Sequence, residues 1–192
     1  MRKRVPPRSA VWRFALRALA WLAPCFAAWY WTAAWLARPA AWLARAAIWL
    51  ADGGIVNGLE WEEGIARFVT NIEMSASPAQ AAVLLVEVNP LLYTYGIAIV
   101  AALMLASRAS WRKLLLGVAL LLPFQAWGIA FDVLAQIVRA GPQAASQVSL
   151  VGWKAEGVAL GYQLGSLIFP TLAPVLLWAG MGRSFIEGLV RK

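Results

Sequence analysis

The chain contains no histidine and a single cysteine, Cys25, among its 192 residues. Without an imidazole, Ser-His-Asp and Cys-His catalysis are excluded, together with most transition-metal sites. A lone cysteine rules out an internal disulfide. Acid is scarce: nine Asp and Glu stand against seventeen Lys and Arg, a formal charge of +8. Charged residues of both signs make up 14% of the chain, against about 25% in globular proteins.

Apolar residues fill the gap. They make up 62% of the chain, and mean hydropathy is +0.68. So few charges cannot cover that much apolar surface in water, so the composition specifies an integral membrane protein.

A crossing helix needs about 20 apolar residues. Four stretches meet or approach this: 18–37, about 90–106, about 114–138 and about 158–182. The expected fold is therefore an all-α integral membrane protein with four transmembrane helices. A basic arm (1–17) precedes them, an outer region (38–89) separates the first two, and a basic tail (183–192) comes last. Leu22-Ala23-Pro24-Cys25 resembles a lipoprotein cleavage site, but the proline fits poorly and the apolar run continues well past it. The first span reads as an uncleaved signal anchor. Twelve of the seventeen basic residues fall in the arm, the tail and the loop holding Arg108, Arg112 and Lys113. Seven of the nine acids fall on the opposite side. The positive-inside rule then expects both termini in the cytoplasm. The basic arm is expected to rest on anionic lipid, and no nucleic-acid binding is expected.

Along the first span and into the outer region, Trp21, Trp35, Trp42 and Trp49 recur on a seven-residue period and share a helix face. Two readings stand. One is a packing seam for a partner helix; the other is an interfacial helix that leaves the first span at Arg38-Pro39 and ends at Asp52-Gly53-Gly54. Glu60, Glu62 and Glu63 form an acidic patch without metal-ligand spacing. Residues 67–74 alternate, Ser75-Ala76-Ser77-Pro78 is turn-rich, and Val83 to Val88 is rich in β-branched residues, so a small two-stranded hairpin is expected. The segment 139–157 reads as an irregular connector.

Polar side chains inside a bilayer are costly and mark function or packing. In the third span Gln125, Gly128, Ile129, Asp132 and Gln136 share one helix face. In the fourth, Gln163, Ser166, Pro170 and Pro174 form a similar stripe, the two prolines predict a kink, and Gly161 and Gly165 suit a close helix contact. Antiparallel packing would bring Asp132 near Gln163. Asn89 and Pro90 read as cap and first residue of the second span, placing Tyr93 and Tyr95 in an outer aromatic belt. These groups are expected either to bond one another or to line a groove for a peptide or lipid.

The segments Asn89-Pro90-Leu91-Leu92-Tyr93-Thr94-Tyr95-Gly96, Leu120 to Gly128, and Gly161-Tyr162-Gln163-Leu164-Gly165 with Pro170 and Ala173 to Trp178 resemble the exosortase H-associated membrane protein family. The resemblance covers Val88 to Phe185; the Trp-rich first span and the acidic loop stand outside it. It implies a small inner-membrane protein that accompanies an exosortase, a transpeptidase-like enzyme acting on proteins with a C-terminal sorting signal. That enzyme's proposed chemistry uses Cys, Arg and His. A chain lacking His is then a non-catalytic accessory with no cofactor and no metal, whose partners are lipids, an exosortase and C-terminally sorted substrates. Two other classes remain open on the residues: a small transporter or lipid-handling subunit whose polar stripe lines a groove, and a hydrolase using Asp132, which lacks a nearby second acid.

Overall fold

The computed structural model describes residues 8–52, 54–77 and 80–191. Much of the basic arm (residues 1–7), Gly53, the turn residue Pro78 and the terminal Lys192 lie outside the described residues. The elements in chain order are α1 (Arg8–Asp52), β1 (Val56–Glu62), β2 (Ile65–Ser77), β3 (Gln80–Val88), α2 (Leu91–Thr94), α3 (Gly96–Ala106), α4 (Trp111–Arg139), α5 (Pro142–Gln147), α6 (Trp153–Gln163), a π-helical turn (Leu164–Ile168), α7 (Phe169–Met181) and α8 (Arg183–Arg191). The fold is mostly helical with one small sheet. Among the described residues, three helical stretches are long and apolar enough to cross a membrane: Val11–Ala51, Trp111–Arg139 and Trp153–Met181. The Leu91–Ala106 stretch is apolar but shorter.

The helix α1 is unbroken for 45 residues, about 67 Å of rise. Arg38-Pro39 does not end it. Its run of Ala and Leu, with no glycine, favours helix strongly enough to carry the two prolines, Pro24 and Pro39.

Two compact units make up the fold. One comprises Ala33–Thr94 and Leu122–Pro170 and holds the main core. Here α1 contributes a face of small residues, Ala40, Ala41, Ala44 and Ile48, all essentially inaccessible. They pack with Phe68, Ile72, Val86 and Val88 of the sheet and with Ile129, Val133 and Ile137 of α4. The opposite face of α1 exposes Trp35, Trp42 and Trp49. Arg38 lies over the Trp35 ring at 4.2 Å and faces Trp61 of β1 at 5.8 Å. Arg45 Nη2 donates to the Asn57 carbonyl at 2.7 Å. Both arginines thus tie α1 to β1.

The sheet has three antiparallel strands in the order β1-β2-β3, one more than the sequence predicts. The additional strand, β1, contains Glu60 and Glu62. It turns into β2 through Glu63 (φ 49°) and Gly64 (φ 84°), a two-residue turn of the left-handed type that hairpins prefer. The acids read as a surface patch are its end. Arg67 of the central strand answers them: it pairs with Glu62, and its Nε donates to Glu87 Oε1 of β3 at 2.7 Å. In β2, Ala66, Phe68, Thr70 and Ile72 point inward with the expected period of two. The β2–β3 register slips between Val69 and Glu73, and Thr70 Oγ1 fills the irregularity, donating to Leu84 O at 2.7 Å and accepting from Ile72 N at 3.2 Å. The connector 139–157 is not irregular throughout. It contains α5, from which Gln147 bonds both backbone groups of Glu73, at 3.1 and 2.9 Å.

The other unit comprises Met1–Thr32, Tyr95–Leu121 and Thr171–Lys192. Phe14 stacks on Trp178 at 5.1 Å, and Trp178 Nε1 donates to Ser107 Oγ at 3.2 Å. Gly117 of α4 faces Val100 and Met104 of α3. Lys113 Nζ donates to the Met181 carbonyl at 3.2 Å, placing a cation on a helix C-terminus. The basic tail is helical as α8.

Phe68 is fully buried, whereas Val83 on β3 is half exposed. Phe68→Ala is expected to lower unfolding stability in mild detergent by about 3–5 kcal/mol, and Val83→Ala by about 0.5 kcal/mol or less. Equal effects would place Phe68 outside the core.

Candidate functional site

Glycines allow α4 to approach the helix that begins at Trp153. A Cβ built on Gly165 would lie 2.6 Å from Gly128 Cα, closer than real side-chain carbons come. A Cβ on Gly161 would meet the Phe131 ring, and one on Gly128 would meet the Tyr93 ring. Trp127 stacks on Phe131 at 4.6 Å, and its Nε1 donates to the Gly161 carbonyl at 3.1 Å. Gly161 and Gly165, which the sequence marks for close contact, therefore form one seam with Gly128, and Tyr93 is set against it. From Leu164 to Ile168 the helix widens into the π-turn, just before Phe169-Pro170. Pro170 supplies no backbone donor, and a π-turn adjusts the ladder at that point. Pro170 is itself buried.

Tyr93 is not in an aromatic belt: it is 1% exposed, while Tyr95 is half-buried. The cause is the absence of a side chain at Gly128, which leaves room for the ring. Asn89 Oδ1 accepts from Leu91 N at 3.1 Å and caps α2 as expected. Gln163 is exposed and does not meet Asp132. It shares a sequence stripe with Ser166 and Pro170, but the π-turn rotates the later residues away from the face that a regular helix would give them. Gln125 is 3% exposed, and neither of its side-chain polar atoms has a partner among the described residues.

Asp132 is 6% exposed and occupies an open groove of about 580 Å³. Gln136 Nε2 donates to Asp132 Oδ1 at 3.2 Å and to the Glu87 backbone carbonyl at 2.8 Å, linking α4 to the end of β3. Arg139 Nη2 reaches Asp132 Oδ1 at 3.5 Å, and its Nε donates to Ala135 O at 3.1 Å. The Arg139 guanidinium lies 5.2 Å from the Tyr162 ring centre. Glu87, Asn89 and Leu92 complete the wall. The buried Tyr93 hydroxyl stands beside the Asp132 carboxyl without strict hydrogen-bond geometry.

Of the sequence-marked residues, the structure brings Asp132 and Asn89 to the groove, with Tyr93 behind Asp132. Gly128, Gly161 and Gly165 form the seam. Sequence reasoning does not single out Arg139, Tyr162 or Glu87 as site residues. Arg139 carries a signal, since it lies two helical turns after Asp132 and faces the same way. Glu87 carries none, because its position depends on the strand pairing. It does place a second carboxylate in the groove, one already held by Arg67.

The model of the exosortase H-associated membrane protein family matches residues 8–185, so the match takes in the Trp-rich first helix and the acidic loop as well. No curated protein and no solved structure matches the chain.

Gly165→Ala is expected to cost about 1–3 kcal/mol, because the seam must open to admit the methyl group. Gly157 lies on α6 with nothing within 4 Å of its would-be Cβ. Gly157→Ala should therefore be neutral or stabilising by up to about 1 kcal/mol. Thermal unfolding in detergent measures both.

Proposed function

We propose, from the premise that the chain belongs to the exosortase H-associated membrane protein family, that it is a non-catalytic inner-membrane accessory of an exosortase. The observation that carries this reading is the family match across residues 8–185. The residue inventory supports it. The chain has one thiol, Cys25, set within an apolar helix, and no histidine to activate it. Asp132 and Glu87 share a groove, but Glu87 is engaged by Arg67, and no side-chain nucleophile with an activating base accompanies them in the wall.

Association runs through transmembrane helix faces. The Trp-lined side of α1 is the prominent unpacked one, and tryptophan offers a large, stiff contact to an exosortase or to the transmembrane helix of a sorted substrate. The chain crosses the membrane four times with both termini in the cytoplasm. The distribution of Lys and Arg supports this, and Leu91–Ala106 supplies the remaining crossing. At 16 residues it rises about 24 Å, and local bilayer thinning accommodates the shortfall.

Purification of the tagged protein in mild detergent should recover an exosortase from the producing cell. Recovery of the chain alone, under conditions that keep other membrane complexes whole, would contradict the association. Reporter fusions after Lys192 and near Glu60 should emerge on opposite sides of the membrane; a common side would contradict the topology.

A further inference from the structure

The groove around Asp132 has a chemistry of its own, independent of whether an exosortase binds. It joins the buried Asp132 carboxylate, the Glu87 carboxylate held by Arg67, a guanidinium and two amides in about 580 Å³ at the C-terminal end of α4, where an apolar span gives way to polar sequence. Its free hydrogen-bonding capacity is of both kinds. Asn89 spends its oxygen on Leu91 N, and among the described residues its NH2 donates to nothing. Gln136 spends its NH2 on Asp132 and Glu87, which leaves its oxygen to accept. Arg139 is largely exposed and touches Asp132 only at 3.5 Å, a distance at which the pair is barely closed. Tyr162 steadies the guanidinium from the side.

The wall is also partly apolar. Leu92 is 53% exposed in the groove. A polar notch with one guanidinium and two carboxylates, of which Glu87 is already paired with Arg67, opening beside the bare Leu92 at the end of a span, matches a molecule with an ammonium, a phosphate and acyl chains. We infer that the groove binds the zwitterionic headgroup of an aminophospholipid, phosphatidylethanolamine. Its ammonium donates to Asp132 and the Gln136 oxygen, its phosphate accepts from Arg139 and the Asn89 NH2, and its chains leave the groove past Leu92. A quaternary ammonium has no N–H to give the buried carboxylate, and a glycerol headgroup brings no cation. The site therefore discriminates by hydrogen-bond donors, the feature that separates close analogues best.

Titration of the purified full chain with short-chain phosphatidylethanolamine, phosphatidylcholine and phosphatidylglycerol, read by native mass spectrometry, tests this. Phosphatidylethanolamine should bind about tenfold tighter than phosphatidylcholine, with phosphatidylglycerol also weaker. Asp132→Asn should erase the preference over phosphatidylcholine. Arg139→Gln, at an exposed position that leaves the fold intact, should weaken phosphatidylethanolamine and phosphatidylcholine alike by several-fold, and it decides the matter by itself if the Asp132 variant does not fold. Equal binding of the three lipids by the unaltered chain would overturn the proposal. So would a preference that survives both substitutions, or retention of a peptide with no headgroup preference.

Discussion

Backbone approach at Gly128, Gly161 and Gly165 is the constraint on which the site depends. In lipid there is little hydrophobic drive to bring two helices together, so close packing must supply the attraction. A side chain at Gly165 would collide with Gly128 Cα, and one at Gly161 would collide with Phe131. With no side chains there, Trp127 reaches the Gly161 carbonyl and Tyr93 fills the space against Gly128. The seam thus sets where Tyr162 of α6 stands relative to Arg139 of α4, and with it one wall of the groove.

The other wall comes from the sheet. Gln136 on α4 holds the last residues of β3 through the Glu87 carbonyl, and Arg67 holds the Glu87 side chain from the central strand. A two-stranded hairpin alone would be marginal in water. The third strand, the packing of Phe68 and Ile72 against the alanine face of α1, and the clamp from Gln147 onto Glu73 together supply the support it needs. Small residues recur wherever elements must close up: alanines on α1, glycines on α4 and α6.

Much of this is legible in the residues. Hydropathy locates the helical stretches, and the spacing of Gly161 and Gly165 marks one side of the seam. Asn89-Pro90 marks a helix start, and Asp132 stands out as the single acid in its span. The remainder depends on geometry that spacing does not encode. The strand β1 is hidden because its acids read as a surface patch, although Glu63-Gly64 is a hairpin turn signal. The π-turn at 164–168 breaks the 3.6-residue period, and the stripe is split: Gln163 is exposed while Pro170 and Pro174 are buried. Pro39 does not stop α1, because its alanine-rich surroundings and its packing outweigh one missing donor. Glu87 reaches the groove through strand pairing, which no local pattern announces.

The most direct measurement of the seam is a double-mutant cycle between Gly161→Ala and Phe131→Ala, read as unfolding free energy in detergent. Contact between the two residues predicts that the alanine at 161 costs much less once the Phe131 ring is gone, with a coupling of about 1–3 kcal/mol. Additive effects, within about 0.5 kcal/mol, would mean that the two helices do not meet at Gly161 and would contradict the architecture of the site.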